Sequence, residues 1–242
     1  MTRKATGCFL GAALVSLLIP ALAANPAGAA EPGQVFTVFQ AEQLEYRTGN
    51  GKDGLNWEAG GWVGNDDHKV RFKTEGEKPT EGKLEKGEFQ LLYSRPISDF
   101  FDIQGGIRQD IKPNPDRTFA VFGVQGTAPY KIEVDAAAFV SHEGEVSARF
   151  KGEYDLLITQ KLVLQPTAEI NMAIQSVKAR EIGSGVNNIG IGLRLHYEIV
   201  REFAPYVGFQ WERKLGQTAD YARDDGETVD SRSFVTGIRF WF

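Results

Sequence analysis

The last nine residues of the chain alternate strictly between two faces. One face carries Phe234, Thr236, Ile238, Phe240 and Phe242, and the other carries Val235, Gly237, Arg239 and Trp241. A period of two residues is typical of a β-strand. A strand this aromatic would promote aggregation if it were left exposed in water, whereas a strand that closes a barrel in lipid can use both faces. The stretch therefore predicts the closing strand of a membrane β-barrel.

Eleven further alternating segments precede this terminal strand. The segments cover residues 35–47, 55–63, 69–75, 84–94, 99–110, 117–125, 130–141, 145–154, 160–172, 188–199 and 203–213. In the third segment Val70 and Phe72 alternate with charged residues, so one face is apolar and the other is polar. The first segment is ambiguous, with Phe36, Val38, Leu44 and Tyr46 in one phase. An even count of twelve is what antiparallel closure requires.

The connections between these segments alternate in length. Compact connections are expected at residues 65–68, 95–98 and 126–129 and around Arg201, and long ones at 109–116, 176–187 and 216–230. Bacterial outer-membrane barrels have short periplasmic turns and longer extracellular loops. We therefore predict an all-β fold, a transmembrane antiparallel up-and-down β-barrel of about twelve strands, with both ends of the barrel chain on the periplasmic side.

The beginning of the chain has the pattern of an export signal. Arg3 and Lys4 precede an apolar run over residues 9–19, which is followed by small residues. This predicts a secretory signal peptide over residues 1–30, cleaved after residue 23 or 30, and an outer-membrane barrel over residues 31–242. Cys8 lies within the signal, so the mature chain has no cysteine and no disulfide.

Charge and hydropathy narrow the class of protein further. The chain has 27 Lys+Arg and 32 Asp+Glu. Because Arg3 and Lys4 leave with the signal, the mature chain keeps 25 basic residues and a net charge of −7. This acidic balance argues against nucleic acid as a partner. No apolar run after the signal reaches the length of a membrane helix, which leaves a soluble protein or a barrel.

If the apolar faces meet lipid, the charged faces line the barrel interior. We expect these side chains to form an ion-pair lattice that fills a narrow lumen. Its predicted members are Arg71, Asp102, Arg108, Glu133, Asp135, Arg149, Glu153, Arg194, Glu212 and Arg239. A barrel of this size lies between the filled eight-stranded barrels and the open porins. A wide nonselective pore is therefore disfavoured, and gated or plugged passage remains open.

Metal ligands are scarce in the mature chain, which has three histidines and one methionine without chelating spacing. His196 is the best candidate, because its position places it on the polar face near Glu198. His68 lies in a predicted turn and His142 in a predicted loop. Isolated histidines are usually solvated or ion-paired, and ligands without a partner at chelating spacing bind weakly. From the residues alone, a metal site at His196, Glu198, His68 and His142 is a weak prediction.

An enzymatic function is not expected. Ser141 and His142 are adjacent, so a strand would point them to opposite faces, and no nucleophile elbow occurs. Carboxylates are plentiful, but no pair is singled out for acid and base chemistry. We therefore predict a protein that is not an enzyme.

Several runs of residues resemble the outer-membrane copper resistance protein B family. The longest is EYDLLITQKLVLQP at residues 153–166. Similar runs are IGSG at 182–185, LRL at 193–195, YEI at 197–199, REFAPYVG at 201–208, WERK at 211–214, GLNWE at 54–58, KTEGE at 73–77, LYSR at 92–95 and APY at 128–130. The last strand also resembles the signal read by the barrel assembly machinery, with Gly237, Phe240 and Phe242 at the matching positions.

The resemblance implies an outer-membrane barrel of a Gram-negative bacterium that binds, sequesters or exports copper ions in copper homeostasis. It implies outer-membrane lipid, the barrel assembly machinery and periplasmic copper-binding proteins as partners. Family members commonly carry a Met- and His-rich segment before the barrel, but here only residues 31–38 occupy that place, with neither residue type. This departure argues against high-capacity copper capture there. The alternatives are a narrow channel for another small solute and a structural barrel without transport.

Overall fold

The computed structural model describes residues 34–242, which form a closed antiparallel β-barrel of twelve long strands. The long strands are β1 (Phe36–Gly49), β2 (Gly54–Gly64), β3 (Lys69–Pro79), β4 (Lys86–Pro96), β5 (Phe101–Lys112), β6 (Arg117–Ala128), β7 (Ile132–Ser141), β8 (Val146–Tyr154), β10 (Leu162–Ala173), β11 (Gly185–Tyr197), β12 (Phe203–Lys214) and β13 (Asp230–Trp241). A two-residue strand, β9 (Leu156–Leu157), extends the edge of β8 along β10. The predicted signal peptide lies outside the described residues.

Neighbouring strands along the chain pair with each other, and β13 closes the barrel on β1. In this closing pair Gln40 is opposite Trp241 and Tyr46 is opposite Thr236. The backbone amide of Phe242 also donates to the carbonyl of Phe39, at 2.9 Å. The predicted up-and-down topology with the terminal strand as the closing strand is confirmed. Each long strand of the described barrel is paired on both sides, which removes the aggregation risk of an exposed edge.

The two ends of the barrel differ in the length of their connections. One end carries both ends of the barrel chain and has turns of three to five residues, at 65–68, 97–100, 129–131, 158–161 and 198–202. The other end carries connections of four to fifteen residues, at 50–53, 80–85, 113–116, 142–145, 174–184 and 215–229. Since short turns face the periplasm in bacterial barrels, we call the first end the periplasmic end and the second the outer end.

Two predicted loops differ from the observed connections. A long loop over residues 109–116 was expected, but this prediction is wrong because β5 continues to Lys112. The longest connection also contains a helix, α1 (Gly216–Asp224), and the connection at 174–184 contains a short 3-10 helix (Lys178–Arg180). Within the described residues no helix is long and apolar enough to span a membrane.

The ambiguous phase of the first segment has a structural cause. Strand β1 has a β-bulge after Ala41, where the register shifts against both neighbouring strands. Beyond the bulge Leu44 and Tyr46 lie outside, but before it Phe39 packs on the outer aromatic rings Phe72 and Phe242. The expectation that Phe36 and Val38 share the phase of Leu44 and Tyr46 is therefore wrong, because a bulge inserts one residue and flips the alternation.

The outer surface of the barrel is apolar. Large exposed hydrophobic side chains occur on strands around the whole circumference, among them Val70, Phe89, Leu91, Ile107, Phe122, Val140, Ile191, Leu193, Val207, Phe209 and Phe234. In water such a surface would be an aggregation hazard, but it matches the hydrocarbon core of a bilayer. The alternate residues of the same strands face inward, and they carry the polar and charged side chains described below.

Candidate functional site

The barrel interior is crossed by ion pairs that involve most of the predicted lattice residues. Arg71 pairs with Asp102, Arg108 with Glu88 and Asp110, Asp135 with Lys73, Arg149 with Glu75 and Glu88, Arg194 with Glu45, Glu212 with Arg47, and Arg239 with Asp155. Glu153 lies 3.7 Å from the Lys151 ammonium, and Glu133 lines a lumen cavity. Each predicted member therefore lies in a polar, two-signed interior.

Two ion pairs span the interior from wall to wall. The Lys151 ammonium on β8 contacts the Glu58 carboxylate on β2, and six strand positions separate β8 from β2 around the twelve-stranded ring. One residue pair away, Arg149 on β8 reaches Glu75 on β3 at 2.7 Å. The opposite walls of the barrel are thus tied together near the middle of the lumen.

Among the described residues, two lumen cavities lie one on each side of these cross-lumen contacts. The larger has a volume of about 380 Å³ and extends to Asp99 and Phe100 in a periplasmic turn. The smaller, of about 210 Å³, is lined by residues nearer the outer end, including Arg47 and Lys86. The two linings share three residues, which are Glu58, Glu75 and Lys151. The cavities therefore meet at the cross-lumen ion pairs.

An apolar cluster inside the lumen was not predicted from the sequence. Leu92, Phe119, Val121 and Phe139 are buried together on the inner faces of β4, β6 and β7. The Arg108 guanidinium lies 4.6 Å from the centre of the Phe139 ring and 5.1 Å from that of Phe119. This geometry is a cation–π arrangement, which lets an inward arginine pack on apolar rings. The cluster fills one side of the lumen.

The outer mouth is partly covered by the connection at 174–184. Arg180 of this connection is 9% exposed and donates to the Asp110 carboxylate on β5 at 2.6 Å, so its side chain reaches across the mouth. The same connection is tied to α1, because the amide of Gly183 donates to the Thr218 hydroxyl at 2.8 Å. A Cβ atom on Gly183 would lie 2.6 Å from Gln217, so only glycine permits this approach. No motif in the sequence indicated these contacts of the connection at 174–184.

The most enclosed charges of the wall lie between β1, β11 and β12. Glu45 is 0% exposed and Arg194 is 1% exposed, and two guanidinium nitrogens of Arg194 donate to the Glu45 carboxylate, each at 2.9 Å. The Tyr206 hydroxyl also donates to Glu45, at 2.9 Å. Tyr206 packs over Gly237, where a Cβ atom would lie 2.7 Å from the ring. Gly237 therefore has a packing role in addition to its predicted role in assembly.

His196 is buried in the wall beside this pair, at 1% exposure. Its Nε2 atom lies 3.2 Å from the Gln165 carbonyl oxygen, while the Gln165 amide nitrogen donates to Asp155 at 2.8 Å. Because the Gln165 oxygen can only accept, Nε2 of His196 must carry the proton. The lone pair then resides on Nδ1, which has no hydrogen-bond partner among residues 34–242. His196 is therefore a neutral imidazole whose Nδ1 lone pair is free to bind a metal ion.

The other predicted metal ligands lie apart from His196. His68 is exposed in the β2–β3 turn and contacts the Tyr93 hydroxyl, and His142 is exposed at the outer end near Thr118. Glu198 follows the end of β11, where its backbone amide donates a hydrogen bond to the Lys161 carbonyl. Within residues 34–242, no group of three or more His, Cys, Asp or Glu side chains is arranged to hold a metal ion. The metal role of these four residues stays a prediction.

The predicted assembly residues lie on both faces of the closing strand. Phe240 and Phe242 face outward and lie with their ring centres 6.1 Å and 5.3 Å from that of Phe39, so the three rings form a small aromatic cluster at the periplasmic end. Gly237 faces inward below Tyr206. Their use as a signal for the assembly machinery stays a prediction.

Comparisons with known proteins give both a family and a fold. A family model described as copper resistance protein B precursor (CopB) matches residues 35–242. A copper resistance protein B homolog of Pseudomonas syringae pv. tomato is 44% identical over 86% of this chain and 70% of its own length. Copper resistance protein B of Escherichia coli is 39% identical over 83% of this chain and 68% of its own. The NanC porin structure superposes with a TM-score of 0.51 at 10% identity, covering 85% of this chain and 99% of the porin.

Proposed function

The chain belongs to the copper resistance protein B family, and we propose that it binds copper ions inside its lumen and passes them through the outer membrane. Family membership gives a copper resistance role at the outer membrane, and the porin-like barrel supplies the enclosed polar interior. Copper is the cargo of this proposed process, so no bond chemistry is required of the protein. Binding, sequestration and export are then successive uses of the same lumen.

The observation that carries the proposal is the free Nδ1 atom of His196. Copper(II) binds imidazole nitrogen well, and the opposite ring nitrogen of a metal-bound histidine is usually held by a polar partner. Gln165 and Asp155 hold Nε2 of His196 in this manner. His68 and His142 also have a polar partner on one ring nitrogen, but both are exposed. Among the three histidines, His196 is therefore the one that is held in place and buried.

A narrow channel for another small solute is the second candidate function. The two connected cavities support it, because a lumen of this size admits small ions whether or not they are copper. A structural barrel without transport is the third, and it predicts no ion conductance in a planar bilayer. We also propose that periplasmic copper-binding proteins exchange copper with the barrel, a suggestion supported by the family resemblance alone.

A deletion strain of the host bacterium tests the copper role. We expect the deletion to lower copper tolerance and to change the periplasmic copper load, and we expect the intact gene to restore both. Complementation with His196→Ala should fail to restore tolerance, whereas His142→Ala, a matched control in an exposed connection, should restore it. Unchanged tolerance together with an unchanged copper load in the deletion strain would rule out the copper assignment.

A further inference from the structure

The junction between the two lumen cavities has an unusual composition. The cavities meet at Glu58, Glu75 and Lys151, which belong to strands β2, β3 and β8. Glu75 is held by Arg149 at 2.7 Å and by Lys86 at 2.9 Å. The Lys151 ammonium is a single point charge on a flexible stem, unlike the rigid guanidinium fork of an arginine. It is therefore the movable member of the junction.

The ammonium of Lys151 is surrounded by carboxylates from three strands. It contacts Glu58, and it lies 3.5 Å from the Glu42 carboxylate and 3.7 Å from the Glu153 carboxylate. One positive charge thus serves three negative ones. The Lys151 ammonium occupies the place that a free cation would take between these carboxylates. It is attached to β8 only through its own flexible side chain.

The larger cavity has the same sign of charge imbalance. Its lining contains the carboxylates Glu42, Glu58, Glu75, Asp99, Asp102, Glu133, Asp135 and Glu153, and the cations Arg71, Lys73, Arg149 and Lys151. Eight negative groups against four positive ones favour cations in the cavity that leads to the junction. Rings of carboxylates confer cation selectivity on channels by the same electrostatics.

We infer that Lys151 is the specificity-determining residue of the lumen, a tethered cation that blocks the junction and is displaced by small cations but not by anions. An incoming cation takes the place of the ammonium between Glu58, Glu42 and Glu153, and the lysine returns once the cation has moved into the other cavity. An anion meets the carboxylates and is repelled. The inference deepens the proposed function, because copper would be one of the cations that cross, and it rests on the lumen being a path.

Potassium chloride conductance across planar bilayers tests this inference without copper. We expect wild-type channels to be cation-selective, with a reversal potential of that sign in a salt gradient. Lys151→Met should raise the single-channel conductance by about threefold or more and keep the cation preference. Arg71→Met is the matched control, because Arg71 lines the larger cavity and pairs with Asp102, toward the periplasmic end and away from the junction. It should change the conductance by less than about twofold.

Two further variants separate the inference from a folding defect. Lys151→Arg keeps the charge, so it should retain the low wild-type conductance. Glu58→Gln removes a carboxylate of the junction, and it should reduce the cation preference. Heat-modifiable migration on gels checks that each barrel is folded. The inference is overturned by anion selectivity, by an absence of conductance in every folded variant, or by equal conductance of Lys151→Met and wild type. If the bilayer conductances come out as expected but the deletion strain keeps its copper tolerance, only the copper role is removed.

Discussion

Glu45 and Arg194 show how single residues stabilise the wall of this barrel. Both side chains are removed from solvent, and their pairing is completed by the Tyr206 hydroxyl and by Gln43, which accepts from Arg194 at 3.0 Å. The desolvation of two buried charges is costly, and it is repaid only when the pair is well formed and its other polar atoms are bonded. The energetic consequence is therefore largest when one partner is removed alone.

Replacement of Arg194 by methionine should destabilise the folded barrel. It leaves the buried Glu45 carboxylate with Arg47, at 2.8 Å, as its remaining guanidinium partner, so we expect the free energy of unfolding to fall by about 3 kcal/mol, the lower end of the range for a broken buried pair. The double variant Glu45→Gln/Arg194→Met should lose less, because the buried carboxylate is removed together with the guanidinium and Arg47 still pairs with Glu212 at 2.7 Å. Urea unfolding in lipid vesicles, followed by tryptophan fluorescence, measures these differences.

Arg223→Met is the control for this measurement. Arg223 pairs with Asp220 on the exposed face of α1, where an ion pair contributes only about 0.3–0.5 kcal/mol. A loss below about 1 kcal/mol for Arg194→Met would contradict the structural role given to the buried pair.

Some of these residues could be found from the sequence and others could not. The alternation of β11 puts Arg194 and His196 on its polar face, and the structure has both inside the barrel wall. Glu45 was missed because the bulge after Ala41 interrupts the alternation of β1. The Gln165 contact that fixes the proton of His196 joins two strands, and single-strand periodicity carries no information on such a pairing.

At the scale of elements, the strands and the places of the two longest outer connections were predictable, but the structure inside those connections was not. Strands follow from a local period of two, whereas the sequence of α1 is rich in Asp and Gly and indicates a loop. The helix buries Ala219 and Ala222 and is tied to the connection at 174–184 through Thr218. A helix this short depends on such packing, since isolated short helices are marginal in water.

The connections of the outer end are linked by charges that titrate. The Glu227 carboxylate accepts from Lys214 at 2.7 Å and from Lys52 at 3.1 Å, and Lys52 also pairs with Glu85 at 2.7 Å. The hydrogen bond from Lys214 is the main reason that the pKa of Glu227 lies below its usual value of 4.5. The hydrogen bond to Glu85 likewise raises the pKa of Lys52 above its usual 10.5.

Acid should loosen this set of connections. Because the pKa of Glu227 is lowered on folding, its contribution is fully present above the unfolded value of 4.5 and is lost as the pH falls through the lowered folded value. The raised pKa of Lys52 places its own loss only above 10.5. We expect hydrogen exchange of residues 215–229, corrected for intrinsic rates, to be slow at about pH 6 and faster at about pH 3.

Glu227→Gln supplies the comparison for the pH experiment. This variant should exchange faster than wild type already at about pH 6 and should respond less to acid, because its link to Lys52 and Lys214 is neutral. Equal corrected exchange of the wild-type connection at both pH values would show that Glu227 does not hold it.

At the scale of the whole molecule, the architecture follows from strand number and parity. Twelve alternating segments, short turns at one end and an aromatic terminal strand predict a closed barrel in the outer membrane, and this prediction is confirmed. The internal arrangement is a different matter, because Lys151 and Glu58 are 93 residues apart and meet only when the ring closes. Periodicity predicts which side chains point inward but not which partners they find across the lumen.

The fold and the copper resistance role are established by different comparisons. The porin likeness, at 10% identity, concerns the fold alone, while the copper resistance role comes from the family. The described barrel supplies one buried histidine with a free nitrogen, a carboxylate-rich cavity and a junction occupied by Lys151. The proposed copper path rests on these features together with family membership.

Copper(II) titration of the folded barrel in detergent tests the central claim most directly. We predict saturable binding by wild type, a loss of affinity of about tenfold or more in His196→Ala, and no loss in His142→Ala. Gel migration confirms that each variant is folded. Equal copper affinity in wild type and His196→Ala, or an absence of binding by wild type, would contradict the proposal that this barrel binds copper at His196.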